Sequence, residues 1–174
     1  DYATLLEAIS YKGSTVIVSS KTDLNAAEKL QALLGGEINS KLPRDFKGRI
    51  IVVGGPLSNP LTSPFNEKAG VTFKRVPNLA ILFKGRTYSF TSEMWAREDY
   101  AVIILMKRYG DNVPAIIVWG LTRYGTEAAC VYIEKLVDSN SFPEWSVAVI
   151  KWVDTDDSKS VSQNDSIELL DYGS

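Results

Sequence analysis

Apolar and polar positions change period along this chain, and the changes mark out its elements. Residues 2–10 place Tyr2, Leu5, Leu6 and Ile9 on one helical face, and Lys12-Gly13-Ser14 ends that helix. Thr15 to Ser20 is a short apolar run with the pattern of a buried strand. Thr22 or Asp23 caps a helix reaching about Leu34, with Leu24, Ala27, Leu30, Gln31 and Leu34 at helical spacing and Gly35-Gly36 as its stop. A linking segment then runs through Pro43. Ile50 to Val53, led in by Arg49, is an unbroken β-branched run of the kind covered on both faces of a sheet. Strand, helix and strand with one crossover predict a right-handed βαβ unit with its two strands parallel.

Gly54-Gly55-Pro56 stops that strand, and the Pro/Asn/Ser-rich segment to Gly70 reads as irregular because Pro60 and Pro64 disfavour regular pairing. Val71 to Val76 alternates as a half-exposed strand does. Leu79–Phe83 and Arg86–Phe90 flank Lys84-Gly85, a hairpin signal, and Tyr100–Lys107 and Pro114–Trp119 flank Gly110-Asp111-Asn112, another. A second strand–loop–helix follows: a buried strand to Trp119, a loop opened by Gly120, and a helix capped by Thr126, started by Glu127 and carried by Ala128, Ala129, Val131, Tyr132 and Ile133 to Leu136. Ser146 to Val153 is a strand, 154–165 a flexible loop or linker, and Ile167 to Leu170 one added edge strand. The whole pattern predicts one α/β domain over residues 1–174. Its expected architecture is a three-layer, Rossmann-like mixed sheet with crossover helices and an antiparallel hairpin extension.

Composition narrows the chemistry. At 174 residues the chain is long enough to bury roughly two thirds of its unfolded surface. Hydrophobic residues at 45% and charged residues at 23% fit an ordinary globular domain. A net charge of −2 and a pI near 5.3 make no electrostatic case for nucleic acid or an anionic membrane. No apolar stretch approaches the ~20 residues of a membrane span, and no signal peptide is evident. Asp1 opens the chain in place of a methionine, as in a processed product or an excised domain. The single Cys130 forms no internal disulfide and reads as a small buried hydrophobe. Histidine is absent, which removes Ser-His-Asp and Cys-His catalysis and a conventional zinc site, and lowers the expectation of an enzyme.

Two glycine-bearing loops are the candidate ligand-binding positions. Gly54, Gly55 and Asn59 follow a buried strand, where α/β sheets hold ligands, and would cradle an anion or a sugar; alternatively Asn59 pins its own loop. Gly120, Arg123, Gly125 and Thr126 lead into a helix N-terminus, which favours an anion that Arg123 would strengthen; alternatively Thr126 is a plain cap. Neither loop carries the Walker or the dinucleotide-binding pattern. Glu93, Arg97, Glu98 and Asp99 read as a solvated turn rather than an acid–base pair. Asp154, Asp156 and Asp157 lack the ordered calcium-loop pattern, and Trp95, Trp119, Trp145 and Trp152 read as core or interface bulk.

The segments Ile-Val-Val-Gly-Gly-Pro-Leu-Ser-Asn-Pro-Leu-Thr and Val-Trp-Gly-Leu-Thr-Arg-Tyr-Gly-Thr-Glu-Ala-Ala resemble a pattern carried by archaeal surface-layer and related cell-surface proteins, over about residues 15–135. A similar pairing, with Asp99-Tyr100-Ala-Val-Ile between, also occurs in uncharacterised intracellular prokaryotic proteins. The resemblance implies a non-catalytic structural or interaction module, extracellular and at the cell surface, whose partners are further copies of itself or another cell-surface protein. The expected set of partners includes no cofactor, no metal and no nucleic acid, and no membrane span is expected within the chain. The alternative is a cytoplasmic Rossmann-like domain, possessing or lacking enzyme activity, that holds a phosphate-bearing small molecule between Gly54-Gly55 and Arg123-Thr126.

Overall fold

The computed structural model of the chain describes residues 1–110 and 113–174. The buried run predicted at 50–53 is strand β3 (Arg49–Val53), and every one of its residues is buried. It lies between β1 (Thr15–Ser19) and β8 (Ala115–Gly120), parallel to both. The seven-stranded mixed sheet has the order β10-β9-β7-β8-β3-β1-β2, where β2 is Glu37–Asn39, β7 Glu98–Met106, β9 Val147–Val153 and β10 Ser166–Gly173. β7 runs antiparallel to both of its neighbours, β8 and β9. The turn predicted at Gly110-Asp111-Asn112 lies partly outside the described residues, but the strands on either side of it pair as expected.

Alternation along these strands explains how both faces are covered. Ile17, Ile51, Val53, Ile103 and Val118 point to one face, where they meet α1 (Leu5–Ile9), α2 (Leu24–Leu34) and α4 (Arg123–Asp138). Val16, Ile50, Val52, Val102 and Ile117 point to the other, where they meet α3 (Thr62–Ala69) and a small antiparallel sheet of β4 (Val71–Lys74), β5 (Ala80–Phe83) and β6 (Arg86–Ser89). No described helix is long and apolar enough to cross a membrane.

Several expectations are corrected. The hairpin around Lys84-Gly85 forms, with both turn residues at positive φ as a tight primed turn requires. It does not extend the main sheet, however. Val71, Ile81 and Phe83 turn one face of the small sheet onto the large one, so the hairpin stacks as a separate layer. The segment read as irregular before Gly70 contains α3, because Pro64 falls in the first turn, where the missing N–H costs nothing. The linking segment after Leu34 contains β2, a three-residue edge strand too short to show a period. Residues 154–165 form a loop that connects the paired strands β9 and β10. The buried Asp165 closes this loop by accepting bonds from Trp152 Nε1, Thr155 N and Ser162 N.

Candidate functional site

Chain direction decides where a site could form. β1 leads into α2 on one face of the sheet, whereas β3 leads into α3 on the other. The loops leaving their carboxyl ends therefore part, and such a parting is where open α/β sheets hold ligands. The loop after β8 ends beside them. A Cβ on Gly55 would stand 3.4 Å from the Gly120 carbonyl oxygen, so the two predicted glycine loops do meet at one rim. They wall a cleft of about 150 Å³ together with Asp23, Ser58 and Phe73.

What occupies the parting between β1 and β3 is Asn59. It is buried, and its amide nitrogen donates to carbonyls near the carboxyl ends of both strands, Val18 O at 3.0 Å and Val53 O at 3.1 Å. Its Oδ1 accepts from Leu61 N, and Thr62 Oγ1 donates to Gly54 O at 2.6 Å. Gly54, at φ 116°, is needed because a Cβ there would lie 2.6 Å from an Asp23 carboxylate oxygen and 2.7 Å from Ser58 Oγ. Of the alternatives open for Asn59, this geometry is that of a residue pinning its own loop.

The N-terminus of α4 is also filled from within. Thr122, not Thr126, is its N-cap, accepting from Tyr124 N, and the helix begins at Arg123. Asp99, expected in a solvated turn, is fully buried beneath this first turn. One carboxylate oxygen accepts from Thr122 N at 2.8 Å, Thr122 Oγ1 at 2.7 Å and Gly125 N at 2.9 Å, and the other accepts from Tyr100 N at 2.8 Å. These donors are those that would hold a bound anion. Burial pushes the Asp99 carboxyl up to about 7, and the four donors pull against that rise. Gly125 is required because a Cβ would fall 2.3 Å from the Asp99 carboxylate. Thr126 is buried, and its hydroxyl accepts from Gly120 N at 2.9 Å. Loop spacing carried no sign of Asp99's role; the nearest signal was an acid placed immediately before a long apolar strand.

Arg123 alone of the predicted set projects freely. Its guanidinium lies 5.1 Å from the ring centre of Tyr124 and 5.9 Å from that of Trp95, which is 54% exposed, and it makes no ion pair among the described residues. A second cleft of about 260 Å³ adjoins the first and shares Thr22, Asp23 and Arg123 with it. Burial raises the Asp23 carboxyl, against the pull of the Ser58 and Ser20 hydroxyls.

Other clusters lie away from this rim. The carboxylates of Asp154, Asp156 and Asp165, with Asp165 in place of the expected Asp157, come within 4.8 Å of one another, but Lys159 N, Ser158 N and Trp152 Nε1 already donate to them. A groove of about 1140 Å³ opens at the opposite end of the strands, beside Tyr2, Phe83, Lys84, Trp145 and Tyr172. No protein-family model matches the chain, and neither does any curated protein.

Proposed function

We propose that the chain is a non-catalytic structural or interaction module of an archaeal cell-surface protein of the surface-layer kind, working through assembly or attachment. One observation carries the non-catalytic part. The two positions where an α/β sheet ordinarily receives a ligand, the parting between β1 and β3 and the N-terminus of α4, are filled by Asn59 and Asp99. The resemblance of the segments around Gly54-Gly55 and Gly120-Gly125 supports the cell-surface part.

In this reading the sheet is Rossmann-like in its parallel half, β8-β3-β1-β2, with its ligand crevice closed by side chains that now hold strands and helix together. The phosphate-binding alternative is favoured by the projecting Arg123. It is opposed by the two carboxylates, Asp23 and Asp99, set against the same loops. Thermal unfolding with nucleotides and inorganic pyrophosphate separates the two readings. No stabilisation is expected. A rise in Tm that disappears in Arg123→Ala would establish the phosphate site and end the non-catalytic reading. Surface labelling of intact source cells with a membrane-impermeant reagent is expected to reach the protein; labelling only after lysis would remove the cell-surface part.

A further inference from the structure

Asn164 carries a side-chain amide that the fold does not use. It sits in a turn closed by Asp165 N donating to Ser162 O at 3.1 Å, immediately before β10. Its main chain is engaged, with N donating to Ser162 Oγ at 3.2 Å and O accepting from Thr155 Oγ1 at 3.2 Å. The amide itself is exposed and makes no hydrogen bond among the described residues. Its neighbour shows the contrast: Gln163 Nε2 donates to Glu134 at 2.8 Å and to Asp138 at 3.0 Å, tying the loop to α4.

Asn164-Asp165-Ser166 is the one place in the chain where an asparagine stands two residues before a serine or threonine. An amide nitrogen is a poor nucleophile, because its lone pair is delocalised into the carbonyl. Its glycosylation therefore needs a transferase, which recognises the acceptor by the hydroxyl two residues on. Both groups have to face outward, and burial alternates across the triplet in that sense. Asn164 and Ser166 are exposed, while Asp165 between them is 3% exposed, its carboxylate turned inward onto Trp152 Nε1 and Thr155 N. The position also bears on the sheet. β10 closes one side of the seven-stranded sheet with an edge eight residues long, whereas the opposite edge is the three-residue β2. A long open edge invites pairing with another chain, and a bulky, hydrated group at the head of the strand hinders it.

We propose that Asn164 is an N-glycosylation site, carrying a sugar chain taken from a polyprenyl-phosphate-linked oligosaccharide. The bond formed joins Asn164 Nδ2 to the anomeric carbon of the first sugar. The bond broken runs from that carbon to the phosphate oxygen, which leaves with the electron pair, and one amide proton passes to a base of the transferase. This inference rests on the cell-surface reading, since such acceptors are used on exported chains.

The test is mass spectrometry of the Asn164 peptide from protein isolated from source cells, with fragmentation to locate any sugar. A sugar-derived mass on Asn164 is expected. Asn164→Gln and Ser166→Ala, both at exposed positions, are expected to lose that mass in the same cells, and Ser166→Thr to keep it. Unmodified Asn164 in protein that the membrane-impermeant label reaches would overturn the site and leave the cell-surface reading standing. Unmodified Asn164 in protein labelled only after lysis would overturn both. Sugar kept in Ser166→Ala, or lost in Ser166→Thr, would overturn the site as well, because the hydroxyl would then not be what is recognised.

Discussion

Asp99 does the work of a bound anion while remaining part of the chain, and this makes its protonation a stability question. Burial raises its carboxyl from an ordinary value of 3.8 to about 7, so the native state holds a proton that the unfolded chain has already released between those values. A raised acid contributes stability that is fully present below about pH 4 and is lost as pH climbs towards 7. Its share of the slope is at most about 1.4 kcal/mol per pH unit. Asp23 and Glu127, also raised mainly by burial, act with the same sign, so the wild type alone does not isolate Asp99. Asp99→Asn does. It is expected to flatten that part of the slope and to set an amide donor against the Tyr100 or Thr122 N–H, costing about 1–3 kcal/mol at pH 5. Urea unfolding of both proteins at pH 5 and pH 8 checks this, and equal slopes would show that Asp99 does not titrate in this range. At this scale the sequence was least informative. The glycines, Asn59 and Thr126 were visible as loop residues, but a cluster of four charged residues between two strands does not reveal that the last of them turns inward. Thr126 reads as the cap because it precedes Glu127, whereas Thr122 fills that role once Asp99 draws its N–H inward.

How α4 seats against the sheet depends on the space its first turn leaves for the strand before it. A Cβ on Gly120 would stand 2.4 Å from the Gly125 backbone and the Thr126 nitrogen, and none of these atoms can move without shifting the helix. Gly55, on the facing loop, would bring a Cβ no closer than 3.4 Å to anything. Gly120→Ala is therefore expected to cost about 3 kcal/mol or more, at the upper end of overpacking effects, and Gly55→Ala less than about 1 kcal/mol. Paired thermal or urea unfolding measurements check this. Similar losses at both positions would mean that the α4 seat is softer than the backbone contacts indicate. Most elements were legible from their period, because strands buried on both faces run as unbroken apolar stretches and α2 and α4 repeat at helical spacing. Two were not, for different reasons. α3 carries Pro64 and Asn66 within eight residues, so composition argued against a helix that Pro64 in fact opens. The small sheet shows correct strands and a correct turn, but period alone does not reveal whether a hairpin joins a sheet's edge or lies across its face. Only the packing of Val71, Ile81 and Phe83 against the large sheet decides that.

Across the whole molecule the two ends of the sheet are each fastened by one buried ionisable side chain set against helix ends. At the carboxyl ends of the parallel strands Asp99 meets the N-terminus of α4. At the other end Arg49, which leads β3 and is 2% exposed, meets two helix C-termini. Its guanidinium donates to Ala8 O at 3.0 Å and Ile9 O at 3.4 Å in the last turn of α1, to Leu34 O at 2.9 Å at the end of α2, and through Nε to Thr15 Oγ1 at 3.0 Å on β1. Tyr11 covers it, with its ring centre 5.8 Å away. Helix C-terminal carbonyls lack partners within the helix and carry the negative end of the dipole, so one planar cation with five donors satisfies both helices at once. Burial lowers the Arg49 pKa, yet a guanidinium stays charged, so the carbonyls stand in for a carboxylate that this end does not supply. Removing the cation should then unfasten α1 and α2 together. Arg49→Met keeps much of the volume but strips the partners from three carbonyls, and is expected to cost about 3–5 kcal/mol, as for a broken buried charge network. Arg49→Lys keeps the charge on a point that reaches only one or two acceptors, and should recover less than half of that loss. Urea unfolding gives the two energies, and hydrogen exchange gives their location, with faster exchange expected at the ends of α1 and α2 and little change at the Asp99 end. Arg49→Met within about 0.5 kcal/mol of wild type would show that water satisfies those carbonyls as well as Arg49 does, and that packing alone holds the helices down.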